Sequence, residues 1–233
     1  MTPGRNAYAT LHAMVQTTAS LIDRLAAIPY TGAISDILDE IDLRSQVLPQ
    51  QIQSIREGQT LAGRAFTVMG QAETGRSRDD YFLPFLQMLG AIGSGDVVIV
   101  QTNDNNVAHF GELSCETAKH RGGRGVVLDG GIRDVDYILK LDFPVFARYK
   151  TPRDTIGRWR VTDVNVTITI GGVAVHAGDF VLGDRDGLVI IPERVAEEVI
   201  ARAEEVVHTE DSVRKAILEG MHPARAYEKF GRF

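Results

Sequence analysis

The chain's 233 residues, 44% hydrophobic and 24% charged, supply enough material for one globular domain with a sizeable core and exclude disorder as its global state. A formal charge of -6 argues against sequence-independent nucleic-acid binding, which needs a basic face, and points to small-molecule partners. The single cysteine, Cys115, excludes an intrachain disulfide and a cysteine-cluster metal site and suits a reducing compartment, so a cytoplasmic protein is expected.

At the N-terminus the apolar residues are interspersed with polar ones, so neither a signal-type apolar region nor a membrane span is expected. From Ala7 to Ala27, Leu11, Met14, Val15, Leu21, Ile22 and Leu25 recur at helical spacing before Pro29, which predicts an amphipathic helix over about 7–28. A short helix follows within Thr31 to Glu40, with Ser35 or Thr31 as its cap; Ser35, Asp36 and Asp39 read as capping and solvated residues. Leu61 to Met69 predicts a strand with a bulge at Gly63, and Asp79 to Ile92 a helix. Val97-Val98-Ile99-Val100-Gln101 is the apolar run of a strand covered on both faces.

The polar loop 102–106 leads through Val107-Ala108-His109-Phe110 into Gly111-Glu112-Leu113-Ser114 and a helix. Gly125-Val126-Val127-Leu128 is the next buried strand, and Asp129-Gly130-Gly131-Ile132-Arg133-Asp134 is a glycine turn that delivers an Arg-Asp pair to a strand end. A helix to about Leu139 and a short strand at Phe143 to Ala147 follow; Pro144 puts that strand at an edge or at its own start. The rhythm then changes. Val161 to Ile170 alternates as one strand, and Val173-Ala174-Val175, Phe180-Val181-Leu182 and Leu188 to Ile191 read as hairpin strands joined by tight turns. A long helix, Val195 to Leu218, begins a C-terminal helical extension over about 194–233. With no internal repeat or linker, a single domain of mixed sheets covered by helices is expected.

Glu112 and Asp134 are the carboxylates best placed to hold a hard cation such as Mg²⁺ or Mn²⁺, for which one direct carboxylate is enough. The guanidinium of Arg133 suits a carboxylate in two-point fashion and an oxyanion beside a metal. The alternative stays open that Arg133 and Asp134 form a plain ion pair, with Asp134 capping its own helix. His109 and His120 lack a spaced partner and read as structural or surface residues, and Cys115 as a small buried thiol. Asp184-Arg185-Asp186-Gly187 shares three letters with a calcium loop and reads as a hairpin turn, and Gly93-Ser94-Gly95 precedes its strand and is no phosphate loop.

Gly111-Glu112-Leu113, the twenty residues between Glu112 and Arg133, and Asp129 to Asp134 together resemble the RraA-like family, which includes the 4-hydroxy-4-methyl-2-oxoglutarate/4-carboxy-4-hydroxy-2-oxoadipate aldolases. The resemblance continues through Ser35-Asp36, Gly95 to Val98, Phe143 to Ala147, Gly178-Asp179 and Asp186 to Pro192, so it covers roughly residues 30 to 220. It implies an α/β fold, an α/β/β/α sandwich with mixed sheets of the swivelling-domain type, assembled as homotrimers or homohexamers with sites between subunits and Mg²⁺ or Mn²⁺ bound. Carried over by residue, Asp134 would hold the metal, Glu112 would sit near it through water, Arg133 would bind a 2-oxo acid, and the amides of Leu113, Ser114 and Cys115 would receive a carboxylate. Glu210 is the nearest match to a catalytic acid from a neighbouring subunit, although Thr209 stands where a Lys is expected. In this chain Tyr137 replaces the acid that follows Arg-Asp in many members, and Asp136 is one residue early.

The implied activity is that of a class II, metal-dependent pyruvate aldolase, with oxaloacetate decarboxylation as a side reaction. A Schiff-base route is disfavoured, since of the chain's lysines only Lys119 lies in the site stretch and it reads as a helix-surface residue. The competing class is a non-catalytic regulator of the ribonuclease E inhibitor type, whose chains are shorter and lack the terminal extensions. A methyltransferase is weakened by the absence of a Gly-rich nucleotide loop.

Overall fold

The structure is a computed structural model that describes residues 21–233. Residues 7–20 of the expected N-terminal helix lie outside the described residues; residues 21–26 are helical (α1). The chain then runs α2 (Thr31–Glu40), β1 (Gln53–Ser54), β2 (Leu61–Ala72), α3 (Arg78–Ala91), β3 (Asp96–Gln101), β4 (Ala108–Phe110), α4 (Glu112–His120), β5 (Gly125–Ile132), α5 (Val135–Leu141) and β6 (Val145–Lys150). It continues with β7 (Trp159–Val164), β8 (Ile168–Ile170), β9 (Val173–Val175), β10 (Phe180–Gly183), β11 (Leu188–Ile191), α6 (Ala196–Leu218) and α7 (Pro223–Phe230).

The main sheet has the order β1-β6-β5-β3-β2-β10-β11, with β4 added beside β5 and β7 beside β2. Its centre is parallel: β2 with β3, β3 with β5, and β5 with β4 and β6. The flanks are antiparallel, β1 on β6, β10 on β2 and on β11, and β7 on β2. A parallel centre needs helical crossovers, which α3, α4 and α5 provide; antiparallel flanks need only turns, as the change of sequence rhythm implied.

Side-chain alternation along the strands sorts the core into three clusters that separate four layers. Val98, Val100, Val126 and Leu128 point to α3, α4 and α5 with Met88, Cys115, Ala118 and Ile138. Val97, Ile99, Val127 and Phe146 point the other way and meet Ile168, Ile170, Val181, Leu188 and Ile190, so that the mixed sheet curls over its own inner face. Phe180, Leu182, Val189 and Ile191 turn outward onto α1, α2 and α6. This is the α/β/β/α sandwich. Val97, Val98, Ile99 and Val100 are fully buried, at roughly 1.5–3 kcal/mol per side chain, so β3 anchors two layers at once.

Several elements differ from the sequence reading. The strand expected over Val161 to Ile170 is two, because Asn165 turns the chain with φ 55° after Val164 has left the core. The bulge expected at Gly63 lies instead between Met69 and Gly70. Neither Thr31 nor Ser35 caps α2: its N-cap is Tyr30, and Thr31 donates its amide and hydroxyl to Asp184 at 2.7 and 2.9 Å. The same Asp184 carboxylate takes the amides of Asp186 and Gly187, so the 184–187 segment is the hairpin turn that the sequence suggested. Pro144 precedes β6, which sits between β1 and β5, so the proline marks a strand start and not an edge. The C-terminal extension breaks at Gly220 (φ 96°) into α6 and α7.

Candidate active site

The parallel strands β4 and β5 end side by side, Ala108 opposite Gly131 and Phe110 opposite Ile132. That pairing carries the start of α4 against the turn that begins α5. Gly130 and Gly131 make the approach possible: a Cβ at Gly130 would lie 2.5 Å from the His109 imidazole, and one at Gly131 2.4 Å from the Tyr149 ring. The Arg133 amide donates to the Phe110 carbonyl at 3.1 Å, and the chain then enters α5 through Asp134 in the left-handed region, φ 59° and ψ 33°.

Asp134 makes no side-chain cap on α5. Its Oδ2 instead accepts the Glu112 amide at 3.2 Å, one of the unpaired donors at the start of α4, and lies 3.6 Å from Arg133 Nε. The open alternative is thereby answered in part: the ion pair is present, but the helix that Asp134 caps is α4. Gly111 is the pivot, since a Cβ there would come within 2.5 Å of Asp134 Oδ2 and 3.2 Å of Arg133 Cγ.

Arg133, Asp134 and Glu112 are therefore brought together. Among the described residues Asp134 Oδ1 and the Glu112 carboxylate carry no hydrogen bond or ion pair, and the amides of Leu113 and Ser114 have no partner. The Cys115 amide departs from expectation: it donates to the Gly111 carbonyl at 3.1 Å and closes the first turn of α4, so it is not available to a substrate. The Cys115 thiol is fully buried, and burial pushes its pKa up, which removes it as a nucleophile. Glu210 does not join the site within the chain. It lies on α6, in the layer across the sandwich, and accepts the Tyr30 hydroxyl.

His109 is a strut and not a ligand. Its Nδ1 accepts the Gly131 amide at 3.1 Å, so Nε2 carries the proton; Nε2 is buried without a hydrogen bond, 3.4 Å from Asp104 Oδ2. Asp104 Oδ2 is already taken by the amides of Asn106 and Val107 at 2.8 and 3.0 Å. Burial pushes the imidazole down to about 4, and its ring stands edge-on to Trp159 at 4.8 Å. His120 is exposed at the end of α4, and Lys119 donates to the Leu141 carbonyl as a surface residue.

Sequence reasoning missed the far wall. The cleft beside Arg133 and Asp134, about 370 Å³, is completed by Lys150, Thr151 and Pro152. Lys150 pairs in register with Ile132 across two parallel strands, so the lysine set aside as remote lies at the site. Asp154 approaches Arg133 Nη1 at 3.4 Å. Tyr137, which replaces the expected acid, is exposed, with Lys140 Nζ 5.1 Å from its ring centre.

No three His, Cys, Asp or Glu side chains gather as a metal cage among the described residues. The donor set, one oxygen of Asp134 that accepts no hydrogen bond on a carboxylate whose other oxygen takes the Glu112 amide, fits a hard divalent cation that keeps most of its water and does not fit a cation needing an all-protein shell.

The sequence profile described as RraA-like, Aldolase/RraA, matches residues 31–190. A protein of Halalkalibacterium halodurans named "Putative 4-hydroxy-4-methyl-2-oxoglutarate aldolase" is 31% identical over 216 residues, 92% of this chain and 96% of its own. An uncharacterized protein from Pseudomonas syringae pv. tomato superposes with a TM-score of 0.78 at 27% identity, covering 89% of this chain and 96% of that one. RraAS2 of Streptomyces coelicolor, described as an unusual member of the RNase ES inhibitor RraA family, superposes with a TM-score of 0.76 at 25% identity, covering 84% and 97%.

Proposed function

The chain belongs to the RraA-like family, and we propose that within it this protein is a divalent-metal-dependent lyase that cleaves a 4-hydroxy-2-oxo acid into pyruvate and a second carbonyl compound. The observation that carries the reading is the Arg133–Asp134 pair set against the open start of α4, where a guanidinium, two uncommitted amides and an uncommitted carboxylate oxygen meet. Relatives named as aldolases support it at the level of a lyase.

Asp134 would hold Mg²⁺ or Mn²⁺, with Glu112 reaching it through water; the cation would supply Lewis-acid charge next to the 2-oxo oxygen. Arg133 binds the substrate's carboxylate end and offsets the negative charge that develops on the 2-oxo oxygen. The Leu113 and Ser114 amides, with the positive end of α4 behind them, receive the carboxylate from the other side. A carboxylate base, Glu112 through water or Glu210 of a neighbouring subunit in a homotrimer or homohexamer, takes the proton of the 4-hydroxyl. The C3–C4 bond breaks, its electron pair moves into the 2-oxo group as an enolate, and protonation at C3 releases pyruvate. Oxaloacetate, losing CO₂ to the same enolate, would be a secondary substrate.

The test is pyruvate release from a panel of 4-hydroxy-2-oxo acids and oxaloacetate, with Mg²⁺ or with a chelator. Metal-dependent release that disappears in Arg133→Ala and Asp134→Ala supports the reading, and equal rates in the variants defeat it. The likeness to RraAS2 keeps a second reading in view, a protein-binding regulator of ribonuclease E type. Capture of ribonuclease E together with no metal-dependent turnover would favour that second reading.

A further inference from the structure

We infer that Asp154 is a positioning residue of this site, which acts through Arg133 and is carried by the segment that runs on from the Lys150–Pro152 wall. The inference rests on the reading of Arg133 as the anion receptor and adds what holds it.

Two carboxylates meet the Arg133 guanidinium at different nitrogens, Asp134 at Nε, 3.6 Å, and Asp154 at Nη1, 3.4 Å. A single acid would leave the side chain free to swing about its long stem; two acids at separate nitrogens fix the direction of the planar group. Both contacts exceed hydrogen-bond length, so they orient the cation without consuming its donors. Asp154 is itself held: its Oδ1 accepts the Thr155 amide at 2.7 Å, and its carbonyl accepts from Arg158 Nη1 at 3.2 Å.

The segment around it is fastened to both strands that build the site. The Thr151 amide donates to the Ile132 carbonyl at 3.1 Å, directly before Arg133. The Arg153 carbonyl accepts the Ala108 amide at 2.9 Å, on β4 and three residues ahead of Gly111. The Arg158 and Trp159 amides close back on the Thr155 carbonyl at 2.8 and 2.9 Å. The position of Asp154 is thus fixed relative to the backbone on each side of the cleft, as a positioning carboxylate requires.

The test is a double-mutant cycle with Asp154→Asn and Arg133→Ala, read by pyruvate affinity in the presence of Mg²⁺, with the turnover of the single Asp154→Asn variant measured beside it. Asparagine keeps an oxygen for the Thr155 amide while removing the charge. We expect Asp154→Asn to weaken pyruvate binding or lower kcat roughly tenfold, Asp154→Glu to restore part of the loss, and Asp154→Asn to add nothing once Arg133→Ala is in place. In the ligand-free protein the ¹⁵N resonance of the Arg133 guanidinium, identified by its loss in Arg133→Lys, should shift in Asp154→Asn. This last readout separates the inference from the proposed activity: a shifted resonance in a protein without lyase turnover supports the positioning role and sinks the lyase. An unmoved resonance, or an equal loss from Asp154→Asn with and without the Arg133→Ala substitution, overturns the positioning role.

Discussion

Asp134 begins one helix and caps another: its backbone opens α5 at φ 59°, while its Oδ2 holds the Glu112 amide of α4 at 3.2 Å. The carboxylate is therefore both a structural acceptor and a candidate ligand, and the two roles separate by substitution. Asparagine tolerates the left-handed region and keeps the acceptor, so Asp134→Asn should stay within about 0.5 kcal/mol of the parent in urea unfolding. Its metal-dependent turnover should nevertheless fall by roughly a hundredfold or more. Asp134→Ala should lose both, with about 1–2 kcal/mol of stability gone with the cap and the strained backbone.

Gly111→Ala tests the pivot. The added methyl would meet Asp134 Oδ2 at 2.5 Å and must push Asp134 or Arg133 aside. Overpacking of this kind costs about 1–3 kcal/mol, and a displacement near 1 Å at reacting groups costs roughly a hundredfold in rate. Steady-state kinetics beside a thermal melt should show an activity loss far larger than the stability loss explains.

His109 gives the fold a one-sided pH dependence. Its folded pKa, pushed down by burial to about 4, lies below the ordinary value near 6.5. Above pH 6.5 the imidazole is neutral in both states and exacts no penalty. Between about 6.5 and about 4 the unfolded chain takes up a proton that the folded one refuses, so stability falls as pH falls through that window, by on the order of 3 kcal/mol in full. Urea midpoints from pH 7 to pH 4.5 should drop accordingly, and an NMR titration that found the His109 ring protonating near 6.5 would refute the assignment.

Asp184→Ala should damage the fold and spare the chemistry. One carboxylate satisfies the Thr31 amide and hydroxyl at the start of α2 and the Asp186 and Gly187 amides of its own turn. Its removal should cost about 2–3 kcal/mol. Turnover per folded molecule should stay unchanged where Glu112 supplies the base, because α2 lies in the layer away from the Arg133 cleft; a loss would point instead to Glu210, which the Tyr30 hydroxyl beside Thr31 holds.

How much of this was legible in the sequence depends on what each residue answers to. Val97 to Val100 and Val126 to Leu128 announce buried strands through β-branched runs alone, and Gly111-Glu112 with Arg133-Asp134 announces a site through residue type and order. Lys150 and Asp154 do not, because they reach the cleft through the register of β6 on β5 and through hydrogen bonds to Ile132 and Ala108, which no local pattern encodes. The family resemblance implies a substrate role for the Cys115 amide although the helix itself claims it, a competition that only the first-turn geometry of α4 resolves. Val164 fits the alternation of a longer strand, yet the turn at Asn165 overrides it.

The β4–β5 ladder, which runs from Ala108–Gly131 to Phe110–Ile132 and ends in the Arg133–Phe110 hydrogen bond, works as a ruler between two stretches of chain. Its consequence concerns length. The turn at residues 121–124, between α4 and β5, lies outside that ladder and is tied instead to the loop before β3, where the Gly95 amide donates to the Gly122 carbonyl at 3.0 Å. A single insertion in 108–111 or 131–134 would slide Asp134 off the Glu112 amide and turn neighbouring side chains to the opposite face. Chain length in these two stretches is thus as much a part of the site as its charged residues are.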